Sequence, residues 1–239
     1  MQIIIAFSVI ALAALIHTSF QLGISLVTLL SNHATGKKLS GKRVLRLVGS
    51  FLSGAMVMTA LLIASFSYAA SILYKDGVPA TVWEFISGAL AVVGIGVWIF
   101  YYRRGDGTSL WLPRSLARHL STRVQATTYS AESFSLGLTG VFAEIIFLFI
   151  PVSAASLAII SLPVAWQPLG LIAYVIIASF SLFTICALIG SGRKLSQIQE
   201  WRESNKRFLQ FVAGFGLFVL SGYIYVNQVI TTVSIPGAG

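Results

Sequence analysis

The chain has 239 residues, 56% of them apolar and only 10% charged, with a mean hydropathy of +0.88. Soluble domains carry about 25% charged residues, so this composition excludes a water-covered globule. The net charge of +9 does not indicate nucleic acid, because the basic residues sit in short loops between apolar runs, as membrane orientation requires. One cysteine, Cys186, cannot build a disulfide framework, a redox pair or a cysteine zinc site.

A helix crossing the hydrocarbon layer needs roughly 20 mostly apolar residues. In chain order, residues 3–30, 47–73, 82–102, 134–160, 169–189 and 208–230 meet that requirement. Length identifies these runs as helices where periodicity cannot, and the ~10-residue alternation of a membrane barrel is absent. The expected fold class is all-α: a polytopic membrane bundle of six transmembrane helices forming a single membrane domain over 1–239. The first run has no positively charged stretch before it and is long for a cleaved signal, so it is expected to remain as a span.

Charge sets the orientation. The first loop holds Lys37, Lys38, Lys42, Arg43 and Arg46; the third holds Arg103, Arg104, Arg114, Arg118 and Arg123; the fifth holds Arg193, Lys194, Arg202, Lys206 and Arg207. Lys75 alone lies elsewhere. The positive-inside rule places these loops in the cytoplasm and both termini outside. Within the third loop, Leu112, Leu116 and Leu120 share a helical face beside Arg114 and Arg118, the pattern of an interfacial helix over about 105–128.

The chain also repeats itself. Ser19-Phe20-Gln21-Leu22-Gly23-Ile24-Ser25 matches Ser133-Phe134-Ser135-Leu136-Gly137-Leu138-Thr139, 114 positions on, and Ile63-Ala64-Ser65-Phe66-Ser67 is identical to Ile177-Ala178-Ser179-Phe180-Ser181 at the same offset. Val92-Val93-Gly94-Ile95-Gly96 resembles Val212-Ala213-Gly214-Phe215-Gly216 at offset 120. Three spans per half is an odd number, so halves of about 1–104 and 129–239 would enter the membrane from opposite sides as inverted repeats. Transporters place a substrate site where such halves meet.

Two ionisable residues fall inside the apolar runs, where burial is costly and function is the default expectation. They are His17 in the first span and Glu144 in the fourth. His17, Gln21, Ser25 and Thr28 share one helical stripe. Ser135 and Thr139 are the repeat equivalents of Gln21 and Ser25, with Glu132 on their face at the mouth of the fourth span. Glu144 falls instead with Ser133, Gly137 and Gly140, whose small side chains permit close helix approach. The expected pathway lies between the first and fourth spans, with Glu144 as cation ligand or proton carrier and His17 as relay or ligand. The alternatives are a neutral His17 bonded to a helix carbonyl, a protonated or paired Glu144 that locks helices together, and ordinary interhelical bonding for the Ser/Thr/Gln stripe. Pro151 either breaks the fourth span near its middle or bends its outer end. Gly49, Ser53, Gly54, Gly88, Gly94, Gly96, Gly214 and Gly216 are expected to be close-packing positions. No nucleophile-elbow, phosphate-loop or His-Glu-x-x-His pattern occurs, so an enzyme is not expected and no cofactor is implied.

Two three-span halves, a basic first loop containing Gly36-Lys37-Lys38, and related motifs in spans one and four resemble the lysine-exporter superfamily. That group includes exporters of amino acids and of manganese and other cations, and carriers of reducing equivalents. The resemblance implies a secondary transporter of a small polar or cationic solute in a prokaryotic plasma membrane, its partners being the bilayer, the solute and a homo-oligomeric or membrane partner. The chain lacks the paired cysteines of the thiol carriers. Where the cation exporters carry an acidic residue in the first-span motif, it has Gln21. The other function class left open is a non-transporting assembly factor or partner subunit.

Overall fold

A computed structural model of the chain describes residues 2–19, 26–27, 30, 41–101, 122–124, 127–191, 200–201 and 204–231. Among the described residues all regular structure is helical. Helix α1 is Gln2–Ser19, α2 is Gly41–Leu73, α3 is Ala80–Gly96, α4 is Ser130–Ile160, α5 is Gln167–Ala178, α6 is Phe180–Gly190 and α7 is Lys206–Ile224. Both α3 and α7 run on into wider π-helical turns, Val97–Tyr101 and Tyr225–Ile230. Helix satisfies every backbone polar group within its own segment, which an apolar solvent demands.

Local signals set the helix starts. Gly77 takes φ +102° in the turn after α2, a conformation that suits glycine, and extended Pro79 precedes the first residue of α3. At the start of α4 the Glu132 carboxylate accepts the Thr128 and Tyr129 amides at 2.8 and 3.1 Å, occupying donors that have no intrahelical acceptor.

Among the described residues four helices, counted with their continuations, are long and apolar enough to cross a membrane, and six are if each of two bent pairs is one span. The chain is therefore a membrane-embedded protein. The bends fall in the expected fourth and fifth spans. In α4 the straight halves Ser130–Ile145 and Leu148–Ile160 meet at 92°. Pro151 explains the position: it has no amide hydrogen, and its ring pushes against the carbonyl four residues back, at residue 147. The second bend, 48°, separates α5 from α6 at Ser179. The pentapeptide identical to Ile177–Ser181 at Ile63–Ser67 lies within unbroken α2, so neighbours rather than local sequence make this break.

Helices α2 and α4 form the most extensive contact. A methyl group at Gly54 would overlap the Phe134 carbonyl, and one at Gly137 would overlap the Phe51 carbonyl. The Ser133 hydroxyl donates to the Leu47 carbonyl at 2.6 Å. Ser133, Gly137, Gly140 and Glu144 are all buried, so one face of α4 carries the whole close approach. Helices α3 and α7 pack through a reciprocal pair: Phe218 of α7 lies against Gly94 of α3, and Trp98, just beyond α3, lies against Gly214 of α7. Gly49, Gly88 and Gly96 have open space where a side chain would go, which corrects the expectation that they are packing positions. Gly214→Ala is expected to lower the detergent melting temperature by the equivalent of about 1–3 kcal/mol, the usual cost of overpacking. Trp98→Ala in the same chain should recover part of the loss.

Two apolar cores result. One gathers α1, the second half of α4, α5, α3 and α7 around Ile63, Leu148 and Leu217. The other gathers Leu26, Val27 and Leu30 with Val44 to Ala55 of α2, Leu136 to Ala143 of α4 and Ile185 of α6. Each of α2 and α4 contributes to both cores and changes allegiance along its length. The crossover falls between Ala55 and Ile63 on α2, between Ala143 and Leu148 on α4, and between Ala178 and Ile185 across α5 and α6.

Candidate functional site

The polar side chains of the interior collect at that crossover. His17, in the last turn of α1, is buried. Its Nδ1 lies 3.0 Å from the Tyr174 hydroxyl of α5, and its Nε2 lies 3.8 Å from Oε2 of Glu144 on α4. The side chains of His17 and Glu144 are 6% and 7% exposed, so little water screens the pair, and their interaction is correspondingly strong. Tyr174 is fully buried. Its hydroxyl fixes the imidazole from one ring nitrogen and leaves the other toward the carboxylate, the arrangement by which a partner sets a histidine's orientation. Tyr174→Phe leaves that nitrogen without its partner and is expected to cost about 1–3 kcal/mol, read as a lower melting temperature in detergent.

Backbone interruptions converge on the same place. Glu144 is the penultimate residue of the segment that ends at the α4 break. The Ser181 amide, one residue into α6, donates to the Thr18 hydroxyl at 3.4 Å, and the Ser181 hydroxyl donates to the Thr18 carbonyl at 3.2 Å. The two hydroxyls also bond each other. A side chain entering the backbone ladder is a recognised cause of a helix kink, and Thr18 supplies one for the bend at Ser179. Between these elements is a cavity of about 20 Å³, lined by His17 and Thr18 of α1, Ala55 and Thr59 of α2, Val141 and Glu144 of α4, and Ala178, Ser179, Ser181 and Leu182 at the α5–α6 junction. That volume suits one water-sized occupant.

Of the residues singled out in the sequence, the structure brings together His17 and Glu144. Gln21, Ser25 and Thr28 lie outside the described residues, as do the basic residues of the third loop up to Arg118. Glu132 is exposed at the start of α4 and serves the backbone amides there. Ser135 and Thr139 are exposed too, with the Thr139 hydroxyl returned to the Ser135 carbonyl at 2.8 Å. The expected stripe through Glu132, Ser135 and Thr139 therefore does not meet His17 and Glu144. The reason is angular: these residues lie away from the face of α4 that Gly137 and Gly140 turn toward α2. The partners that sequence reasoning missed are Tyr174, Thr59, Ser179 and Ser181. Ser179 and Ser181 fall in one of the repeated pentapeptides, which was their only signal.

Among the described residues no group of three or more histidine, cysteine or acidic side chains is placed to hold a metal ion. The site offers one carboxylate, one imidazole and several hydroxyls. It can hold or pass a proton, or place oxygen ligands around one small cation. Comparison with protein-family models, with curated proteins and with solved structures finds no match for this chain.

Proposed function

We propose that this protein is a secondary membrane transporter that moves a small polar or cationic solute by alternating access, built like members of the lysine-exporter superfamily from two inverted three-span halves. In this reading each bent pair is one span, both chain ends lie outside a prokaryotic plasma membrane, and the basic loops face the cytoplasm. One observation carries it: a buried imidazole and carboxylate lie 3.8 Å apart beside a cavity that α1 lines together with the broken α4 and the α5–α6 junction. Ionisable groups buried beside discontinuous helices are the form that substrate and coupling-ion sites take in transporters.

The halves find support in packing. Gly94 and Gly214 are 120 positions apart in the matched motif, and so are Trp98 and Phe218. Each aromatic lies on the other half's glycine. Such a reciprocal contact, residue i on j′ and i′ on j, is what a two-fold relation produces. The pairing of helices agrees, since α1 packs on α5 and α2 on α4, while α3 packs on α7.

Purified protein in liposomes, given a panel of amino acids and cations under an imposed proton or sodium gradient, is the test. Accumulation of at least one solute that Glu144→Gln abolishes is the expected result. No movement of any solute, together with a Glu144→Gln chain that behaves as wild type in cells, would turn the reading toward an assembly factor. Reporters fused at either end are expected to report the outer side.

A further inference from the structure

Most hydroxyls in these helices bond back to their own backbone. Ser8, Ser53, Ser153 and Thr184 each donate to the carbonyl four residues earlier. Thr59 and Ser179 do not. Each is 3% exposed, each lines the cavity beside Glu144, and among the described residues neither hydroxyl has a hydrogen-bond partner. Buried polar groups are ordinarily satisfied, so two unsatisfied hydroxyls at one small cavity next to a carboxylate point to an occupant that supplies the missing interactions.

Charge narrows the occupant. Among the described residues that line the cavity, Glu144 is the one acidic side chain and His17 the one basic side chain. Of the other elements packed there, α5 brings the Tyr174 phenol to His17, while α2 and α6 bring hydroxyls and no ionisable group. A net charge in hydrocarbon is strongly disfavoured. One carboxylate balances either an imidazolium or one monovalent cation. A divalent ion, or a monovalent ion together with an imidazolium, leaves a positive charge without a partner. Carboxylate and hydroxyl oxygens are hard ligands suited to a hard cation, and the 20 Å³ volume admits a single small ion rather than an amino acid.

We propose that this cavity binds one dehydrated monovalent cation of the size of Na⁺ or Li⁺ through Glu144, Thr59 and Ser179, and that the cation and the proton held by the His17–Glu144 pair exclude one another. The inference deepens the transporter reading and rests on it for its purpose: the two cations trade places at one site, so the cation and proton gradients are coupled one for one.

Full-length protein in detergent, lightly buffered near pH 7, tests this with NaCl against choline chloride at equal ionic strength. Sodium is expected to raise the melting temperature and release about one proton per chain to a pH dye. One-for-one exclusion requires the sodium midpoint to rise about tenfold per pH unit on the acid side. Glu144→Gln should lose both responses. Thr59→Val and Ser179→Ala should raise the sodium midpoint at least several-fold while melting near wild type in choline. Equal melting in sodium, lithium and choline would overturn the site, and so would stronger stabilisation by magnesium or manganese than by sodium. Sodium binding without proton release would overturn the exclusion. If Glu144-dependent flux of another solute persists when sodium has no effect, this inference falls and the transporter reading stands. Sodium-linked proton release from a chain that transports nothing would have the opposite meaning.

Discussion

Glu144→Gln is expected to reduce gradient-driven transport by two orders of magnitude or more while leaving the protein folded and inserted. The substitution keeps size and shape and removes the charge. Removing one partner of a buried charge pair that holds a ligand costs about 3–5 kcal/mol of binding, and at about 1.4 kcal/mol per factor of ten that corresponds to roughly 10²–10⁴ in occupancy or rate. His17 then loses its ionic partner across 3.8 Å, and the cavity loses the Glu144 carboxylate. Stability should move the other way. A carboxylate surrounded by apolar cores is costly to keep there, so a neutral amide is expected to leave the melting temperature unchanged or raised. Sites shaped for function commonly carry that trade-off. Transport assay and melting curve on the same preparation check both halves of the prediction. A parallel fall in both would mark Glu144 as a packing residue. His17→Gln is expected to lose transport as well, with Glu144 then lacking its imidazole.

The second large effect is structural. Gly137→Leu, or Gly54→Leu, is expected to prevent formation of the folded bundle. At both positions an added side chain meets the partner helix's backbone rather than a movable side chain, so α2 and α4 must separate. One inserted methylene group in a packed interior costs about 1–3 kcal/mol. A leucine here adds several and also strips the Ser133–Leu47 hydrogen bond of its close approach. Gly49→Leu, one helix turn from Ser53 on the same α2, has open space and is expected to be tolerated. Size-exclusion profiles of the three variants in detergent give the comparison. A monodisperse Gly137→Leu protein, as stable as Gly49→Leu, would contradict the packing described.

The apolar runs and their length made the all-helical membrane class legible, and the cost of burying ionisable groups made His17 and Glu144 legible. The face of α4 that holds Ser133, Gly137, Gly140 and Glu144 was legible too, because helical spacing alone aligns those residues. Tyr174, Thr59 and Ser179 were not. Tyrosine, threonine and serine are common in apolar helices, and nothing local distinguishes a hydroxyl that bonds its own backbone from one that faces a cavity. The bend at Ser179 was hidden for a stronger reason: the same five residues are straight in α2 and broken across α5 and α6. Thr18, brought there by tertiary packing, makes the difference. Ser135 and Thr139 looked functional because they are polar and repeat-matched, yet they face away from the packed side of α4.

Access to the crossover between the two cores tests the whole account. With Cys186 replaced by alanine, Thr59→Cys supplies a single thiol in the cavity wall. A membrane-impermeant thiol reagent applied to right-side-out and to inside-out vesicles should label that thiol from both sides, with Glu144→Gln shifting the balance between them. A thiol that neither face can reach, under conditions where an exposed control such as Lys75→Cys labels fully, would contradict alternating access at this site.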